Sequence, residues 1–345
     1  MSKLSSANYE PLIGQSVEDL ENFFLSLGHR AFRGKQIFDW IYRKNIFEYH
    51  KMTDLSSDIR KKLIDVPIHP LKMIESDISG AKQTQKFLFE LKNGKKVESV
   101  IMREKGRITV CLSTQVGCAV DCDFCATAKM GFYQNLSTGE IIDQFIQLKK
   151  IIGKEISNVV FMGMGEPFLN YKNCMQAAHL LHDPKGVNLG AWRITISTAG
   201  VVNKIGRFTK EKQPFKLAVS LNAVSQEQRE RIMPITKKMK LLDLIKVSKE
   251  YTIISKKKIT FEYVLLAGIN DSKKDALNLK KILSSINCKL NLIPYNEIEG
   301  GYSRPSEKKI VNFFEVLKNA RFPVTIRWSK GQDIDAGCGQ LATDI

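Results

Sequence analysis

The stretch RITVCLS (107–113), followed by the loop CAVDCDFC (118–125) and then by NVVFMG (158–163), decides which fold class the sequence favours. The first and last segments are rich in Val and Ile, which is typical of strands buried on both faces of a sheet. Residues 138–152, between them, have apolar residues at helical spacing. A strand, a helix and a second strand in this order predict two parallel strands joined by a crossover helix.

The same alternation continues toward the C-terminus. A further helical stretch spans 272–286, and further candidate strands are RITIST (193–198), KLAVSL (216–221), ITFEYVLL (259–266), LNLIPY (290–295) and VTIRWS (324–329). We therefore predict an α/β fold, a partial (β/α)6 TIM-like barrel, with a doubly wound open sheet as the alternative. In both architectures the functional residues gather at the carboxyl ends of the parallel strands.

The N-terminal third has different patterns. Residues 16–27, 34–43 and 55–63 are predicted as short amphipathic helices. KFLFEL and KKVESVIM, on either side of Asn93-Gly94, predict a β-hairpin, because this pair suits the positive φ angles of a tight turn. We predict a helical accessory domain at 1–75, a β-hairpin extension at 76–106 and the barrel at 107–345.

Composition narrows the class of partner. The 345 residues contain 53 Lys and Arg against 36 Asp and Glu, a net charge of +17, which favours polyanions such as nucleic acids, with a solvated lysine-rich surface as the alternative. No apolar run could span a bilayer and no secretory signal opens the sequence, so we expect a cytoplasmic protein without membrane contact. In that compartment the 7 cysteines favour metal binding or catalysis over structural disulfides.

Three cysteines, Cys118, Cys122 and Cys125, lie within eight residues directly after a predicted strand. Three thiolates on one loop can ligate three irons of a cubane cluster and leave the fourth iron open. Zinc is one alternative, although its structural sites usually have four ligands and no further Cys or His follows at suitable spacing. Three unrelated buried thiols are the other alternative.

Further candidate residues follow other strands. Gly165 and Glu166 come after NVVFM, where glycine permits close backbone approach and a carboxylate can accept from an amino or hydroxyl group. Cys111 alternates with apolar neighbours and is read from its position as a small core residue. Cys338 is flanked by glycines near the C-terminus, which favours an accessible and reactive thiol.

The cysteine spacing, with Phe124 before the last cysteine, resembles the radical SAM signature, and GMGEP resembles the glycine-rich element that holds the amino group of S-adenosylmethionine (SAM). Together the motifs resemble the adenine-C2 RNA methyltransferases called RlmN. The matching segments are FRGKQIFDWIY, KVESV, CLSTQVGCAVDCDFCAT, FMGMGEPFLN, ISTAG, LAVSLNA, RIMPI, FEYVLL, NLIPYN and AGCGQL. This resemblance implies a radical SAM barrel and one 4Fe–4S cluster on the three clustered cysteines.

The resemblance also implies a reaction that consumes two SAM molecules per turnover. The first methylates Cys338, and the second yields a radical that removes hydrogen from that S-methyl group. The resulting carbon radical adds to adenine C2, Glu98 is the implied proton acceptor, and Cys111 then attacks the sulfur to release the product and leave a transient disulfide. The SAM contacts carried over are Gly165, Glu166, Ser197, Ser220, Leu221, Asn222 and Asn296.

The implied substrates are 23S rRNA near the peptidyl-transferase centre and the adenine 3′ of the tRNA anticodon, both accessible bases. The basic helical domain at 1–75 is then expected to dock the RNA. Flavodoxin or ferredoxin is the expected type of electron donor, and a monomer the expected state. The Cfr family methylates C8 of the same adenine and is the alternative, but Pro167 and Pro294 resemble the C2 family. A radical SAM enzyme with another substrate, and a non-catalytic Fe–S nucleic-acid-binding protein, are the remaining alternatives.

The sequence departs from the family pattern at two positions. The family often has His where this chain has Asn222, which favours a backbone contact at that position. Its MPIN motif ends here in Thr236, to which we assign no role.

Overall fold

The N-terminal part of the fold is helical. The computed structural model describes residues 9–343, and residues 1–8 and 344–345 lie outside the described part. Helices α1 (Val17–Ser26), α2 (Phe32–Phe38) and α3 (Ser57–Lys62) confirm the three predicted helices, and α2 continues as a π-helical turn over Asp39–Arg43. Ser16 begins α1 because its Oγ accepts from the Asp19 N–H, which satisfies a free donor of the first turn.

A ten-stranded sheet forms the centre of the described chain. Its first four strands, β1 (Leu71–Ile78), β2 (Thr84–Leu91), β3 (Lys96–Glu104) and β4 (Arg107–Cys111), are antiparallel. The strands that continue in parallel from β4 are β7 (Asn158–Phe161), β8 (Ile194–Thr198), β9 (Lys216–Ser220), β10 (Ile259–Leu265), β11 (Cys288–Pro294) and β12 (Val324–Ile326). A separate two-stranded sheet pairs β5 (Gln115–Gly117) with β6 (Phe132–Asn135).

The parallel strands follow one another in chain order across the sheet. A doubly wound sheet reverses its strand order at a switch point, and this sheet does not. Strands β1 and β12 are its two ends and do not pair with each other. The α/β prediction of a partial barrel is therefore confirmed, together with all seven predicted parallel strands.

Helices connect the parallel strands. They are α4 (Ala126–Lys129), α5 (Thr138–Ile152), α6 (Tyr171–His182), α7 (Val202–Lys210), α8 (Gln226–Ile232), α9 (Leu241–Ser255), α10 (Lys273–Leu283) and α11 (Glu307–Leu317), with short 3-10 turns at Ala191–Arg193 and Pro234–Lys237. Two further 3-10 turns lie outside this region, at Tyr49–Lys51 before β1 and at Gln332–Ile334 after β12. The apolar stripe of α5, which includes Ile141, Ile142 and Phe145, is buried in the main core. None of the helices within residues 9–343 has the length and apolar character needed to cross a bilayer.

The hairpin of β2 and β3 is confirmed, with Leu88 opposite Glu98. Only Gly94 of the Asn-Gly pair has a positive φ, of +80°, so the expectation of two positive angles is wrong. The loop closes with two backbone hydrogen bonds, in which Gly94 N–H donates to Leu91 O and Leu91 N–H donates to Lys95 O. Asn93 has a negative φ, as most residues do.

Strand β1 was not predicted from the sequence. It lies at the edge of the sheet, and all of its residues after Leu71 are exposed, so it lacks the apolar alternation that indicates a strand. Residue 75, the predicted end of the helical domain, falls inside this strand. The division of the chain into three domains stays a prediction.

The N-terminal helices share the main hydrophobic core with the sheet, through residues such as Leu20, Phe24 and Ile37. A methyl group added at Gly14 would lie 2.2 Å from the Gly139 Cα of α5, so the two backbones are in direct contact. A smaller apolar cluster of Val120, Phe124, Ala199, Ala223, Ile232, Met233, Leu266 and Tyr295 surrounds the cysteine loop.

Candidate active site

A cavity of about 600 Å³ lies at the carboxyl ends of the parallel strands. It brings together most of the site residues predicted from the sequence: Cys111, Cys118, Cys122, Cys125, Gly165, Glu166, Ser197, Ser220, Asn222, Asn296 and Cys338. These residues come from positions more than 200 apart in the chain. Glu98 and Leu221 are the two predicted residues that do not line it.

The three clustered cysteines lie on the loop between β5 and α4. The Cys118 N–H donates to Gly131 O at 2.8 Å, and the Cys125 N–H donates to Cys122 O at 3.1 Å, which folds the loop back on itself. Burial raises the pKa of Cys118 to about 12 and also raises the pKa values of Cys122 and Cys125. A bound metal centre would counter this effect, because positive charge favours thiolates.

The arrangement of the three cysteines is compatible with an iron–sulfur cluster. Within residues 9–343, no group of three His, Cys, Asp or Glu side chains lies close enough together to hold one metal ion. A 4Fe–4S cluster needs a wider arrangement, because each cysteine ligates a different iron. Cys118, Cys122 and Cys125 all line the same cavity, so each of the three thiols can ligate a different iron of such a cluster.

The turn after β7 brings backbone close to the cavity wall. Gly165 has a φ of +93°, and a methyl group at this position would lie 2.5 Å from the Gln115 Cβ. Only glycine satisfies both conditions without strain. The Gln115 Oε1 accepts from the Glu166 N–H at 2.8 Å, so this side chain fixes the turn.

Glu166 is buried at the end of that turn. Its Oε2 accepts from the Ala199 N–H at 2.6 Å and its Oε1 accepts from the Phe168 N–H at 2.9 Å. Burial raises the pKa of Glu166 to about 7, although these hydrogen bonds act in the opposite direction. The carboxylate therefore lines the cavity poised to gain or lose a proton near neutral pH.

The remaining predicted SAM contacts differ in what their side chains can do. Ser197 and Ser220 lie at the ends of β8 and β9 and line the cavity. Leu221 is fully buried, and its backbone N–H donates to Glu262 O. Asn222 has a φ of +56°, and its Oδ1 accepts from the Val264 N–H at 2.9 Å, so its side chain bridges to β10.

Two further cysteines face the same cavity. Cys111 ends β4, is buried, and pairs across the sheet with Val100 and Val160. Cys338 follows the turn Gln332–Ile334. It is accessible from the cavity, and the residues that line the cavity surround it. Burial raises the pKa of both thiols, and negative charge on Cys338 raises the pKa of Cys111 further. All seven cysteines are free thiols.

Asn296 is committed to the backbone segment that carries Cys338. Its Nδ2 donates to Cys338 O at 2.9 Å, and its Oδ1 accepts from the Gln332 Nε2 at 2.7 Å. The carboxamide thus positions the Cys338 loop at the edge of the cavity.

Glu98 lies outside the cavity wall, on β3. Its carboxylate forms an ion pair with Lys86 Nζ at 3.0 Å and accepts from the Ala342 N–H at 3.0 Å. Burial raises the pKa of Glu98, partly offset by Lys86. Val100 and Met102 follow Glu98 at two-residue spacing on the same face of the strand, and both line the cavity. Glu98 points to the same face, but the C-terminal segment (residues 331–343) covers its carboxylate and separates it from the cavity.

An ion pair near Cys111 and Cys338 was not predicted from the sequence. Arg327 and Glu262 line the cavity, with Arg327 Nη1 at 3.9 Å from Glu262 Oε1. Arg327 partly offsets the effect of burial on the pKa values of Cys111 and Cys338. The one indication in the sequence was a charged residue inside the predicted strand VTIRWS, and the sequence does not reveal which acid it faces.

The partial barrel and the three-cysteine loop define a radical SAM enzyme. Residues 112–279 match the model of the radical SAM superfamily. A radical SAM methyltransferase from Sphaerobacter thermophilus has the same fold, with a TM-score of 0.93 and 38% identity over 96% of this chain and 98% of that one. Enzymes of this class carry a 4Fe–4S cluster and use SAM.

Within that class, the chain belongs to the RlmN family of RNA methyltransferases. Residues 11–68 match the N-terminal domain of the ribosomal RNA large subunit methyltransferases. The chain is 42% identical to a probable dual-specificity RNA methyltransferase RlmN of Leptospira interrogans over 337 residues, 96% of each chain. It is 43% identical to the protein of the same description from Aquifex aeolicus over 335 residues, 95% of this chain and 96% of that one.

Proposed function

We propose that this enzyme methylates C2 of adenine 2503 in 23S rRNA and of adenine 37 in tRNA. The observation that carries the proposal is that Cys338 and Cys111 line the same cavity as the three cysteines suited to a cluster. A methyltransferase that only transferred the SAM methyl group directly would not need either thiol. The dual-specificity description of the relatives supports two RNA substrates.

Cys118, Cys122 and Cys125 would hold the cluster, and Gly165, Glu166, Ser197, Ser220 and Asn222 would surround SAM. When bound, the cluster and SAM supply one electron, a radical that abstracts hydrogen, and the methyl carbon. Glu166 would accept hydrogen bonds from the amino group of SAM. Its position on the cavity wall, together with the three clustered cysteines, supports this role. Leu221 would contact SAM through its backbone. Asn296 would contact SAM and would also hold the backbone segment that carries Cys338.

Cys338 is the proposed methyl carrier. Its thiolate takes a methyl group from a first SAM, and that methyl group then gives up one hydrogen atom to the radical derived from a second SAM. The carbon radical would add to adenine C2, and the adduct would lose one electron to the cluster and its C2 proton to the base. Cys111 would then attack the Cys338 sulfur, so that the carbon–sulfur bond breaks, its electron pair stays with the carbon, and that carbon takes up a proton to become the methyl group. The Cys111–Cys338 disulfide that forms must be reduced by an external thiol or protein reductant before the next turnover.

Glu98 is proposed as the acceptor of the C2 proton. For this role its carboxylate must become accessible from the cavity, and the hydrogen bond from Ala342 must break. Movement of the C-terminal segment, which carries both Ala342 and Cys338, would achieve this. Flavodoxin or ferredoxin as electron donor, the monomeric state and the cytoplasmic location stay predictions.

Nucleoside mass spectrometry tests the substrate directly. The protein is expressed in a bacterium that lacks its own adenine-C2 methylase, and 23S rRNA and tRNA are digested separately. We expect 2-methyladenosine in both pools. If 8-methyladenosine appears, the Cfr-type reaction is the correct one, and if no methylated adenosine appears the proposed substrate is wrong.

The Cys338→Ala variant tests the mechanism. It should cleave SAM when reduced and yet leave RNA unmethylated, because the cluster cysteines are intact and the methyl carrier is gone. Cys288→Ala, at a buried cysteine remote from the cavity wall, is the control and should methylate normally. Methylation by Cys338→Ala would rule out the proposed carrier.

A further inference from the structure

Arg229, on α8, is a completely buried cation. Its Nε donates to Leu221 O at 3.0 Å, its Nη1 donates to Thr236 Oγ1 at 2.7 Å, and its Nη2 donates to the carbonyls of Ala199 and Ser220. Every one of these acceptors is uncharged. Within residues 9–343, no carboxylate forms a salt bridge with this guanidinium.

A buried charge without a counter-charge is costly, so it persists only where something compensates it. The hydrogen bonds satisfy the donors of Arg229 but leave its positive charge unbalanced. Burial lowers the pKa of Arg229 to about 10, which still leaves the side chain charged at neutral pH. Negative charge on the thiol of Cys122 raises the pKa of Arg229 and so partly offsets the effect of burial.

The cysteine loop is packed directly against α8. Ile232, the last residue of α8, accepts through its carbonyl from the Asp123 N–H at 3.1 Å. Ile232 and Met233 lie in the same apolar cluster as Val120 and Phe124 of the cysteine loop. Arg229, one turn earlier on the helix, is therefore held next to the loop that carries the three cysteines.

The cluster that the family carries would bring negative charge close to the positive charge of Arg229. Three cysteine thiolates bring negative charge to the loop, and reduction of the cluster adds one electron more. Net charge and burial are among the factors that set the potential of an iron–sulfur cluster. A fixed positive charge in a dry environment stabilises the reduced state more than the oxidised one.

We propose that Arg229 is the built-in counter-cation of the cluster and raises its reduction potential. The same guanidinium joins the carboxyl ends of β8 and β9 to α8, because it binds the carbonyls of Ala199 and Ser220. Arg229 thus keeps the SAM-side loops in place and makes electron entry easier. This inference depends on the cluster that the family carries and not on which RNA is methylated.

The test measures the midpoint potential of the reconstituted cluster, without SAM or RNA, by a redox titration followed by electron paramagnetic resonance. Arg229→Gln removes the charge and keeps hydrogen-bond donors. Its potential should shift to a more negative value than that of the unmodified protein. Lys238→Gln, which removes one exposed charge just beyond α8, is the matched control and should leave the potential unchanged. An unchanged potential in Arg229→Gln would overturn the proposal.

A second variant separates the electrostatic role from a structural one. Thr236→Val deletes one acceptor of Arg229 and keeps the charge, so it should lower the unfolding temperature without moving the potential. If Arg229→Gln does not retain iron, Arg229→His replaces it. The difference between its potential and that of the unmodified protein should then grow as pH rises and the imidazole loses its charge. A difference that stays at zero from low to high pH contradicts the proposal.

Discussion

At the scale of single residues, two neighbours in the turn after β7, Gly165 and Glu166, have different roles. Gly165 provides a backbone conformation and a close approach to Gln115 that a side chain would prevent. Glu166, the next residue, places a carboxylate with a pKa of about 7 on the cavity wall. One residue shapes the cavity and the other gives it a titratable charge.

Replacing Gly165 with Ala should destabilise the protein by about 3 kcal/mol, since strain in φ adds to overlap with Gln115. Gly94→Ala is the matched control: its φ is +80°, but nothing lies within 4 Å of the added methyl group. That variant should lose only about 1 kcal/mol. Denaturant unfolding measures both values, and equal losses would show that the contact with Gln115 costs nothing.

The ionisation of Glu166 should control SAM affinity. If only the carboxylate form pairs with the SAM amino group, a pKa of about 7 predicts about tenfold weaker binding at pH 6 than at pH 8. Isothermal titration calorimetry on the cluster-loaded protein measures this. Glu166→Gln should bind weakly and show a flat profile over the same range. A variant profile as steep as that of the unmodified protein would assign the titration to another group.

At the scale of elements, the C-terminal segment 331–343 is held at three carbonyls. Asn296 donates to Cys338 O, the Ala126 N–H donates to Gly339 O, and Thr127 Oγ1 donates to Leu341 O. Ala126 and Thr127 begin α4, directly after Cys125. The order of the cysteine loop and the position of Cys338 are therefore physically coupled.

Thr127→Val should loosen this segment, because the buried Leu341 carbonyl loses its donor at a cost of about 1 kcal/mol. Hydrogen exchange of residues 331–343 should accelerate, while exchange in α11 stays unchanged. Thr209→Val removes a comparable buried bond, to Ile205 O within α7, and is the control. If both variants leave the exchange of 331–343 unaltered, α4 does not hold the segment.

At the scale of the whole molecule, the N-terminal helices share the main core with the sheet. Deleting residues 1–75 would remove this packing and cut β1, so it cannot separate RNA binding from folding. Surface charges offer a cleaner test of the prediction that these helices dock RNA. Lys61 and Lys62 lie exposed in the last turn of α3.

Changing Lys61 and Lys62 together to Gln should weaken RNA binding and lower the slope of log affinity against log salt by up to about 2, one per lost phosphate contact. Filter binding of unmethylated tRNA across a salt series measures the slope. Lys273 and Lys274, exposed at the start of α10, are changed in the same way as a control for net charge. Equal effects of both pairs would mean that RNA binding does not favour the N-terminal helices.

Much of this protein was determined by local sequence. Runs rich in Val and Ile indicated the seven parallel strands, because such strands are buried on both faces. Apolar residues at helical spacing indicated α5, because a helix that packs on a sheet buries one face. The spacing of Cys118, Cys122 and Cys125 indicated a cluster, because all three ligands lie on one short loop. Strand β1 was not predicted, because an exposed strand at the edge of a sheet does not need alternating apolar residues.

Only the tertiary structure decided which distant residues meet. Cys111 and Cys338 are far apart in sequence and share one cavity, while Glu98 is covered by the backbone of Ala342. Nothing in the local sequence distinguishes Arg229 from an exposed cation, yet the fold buries it completely on α8, which packs against the cysteine loop. Local patterns record what each segment buries, but the charges and hydrogen-bond partners that surround a side chain depend on how the segments pack together.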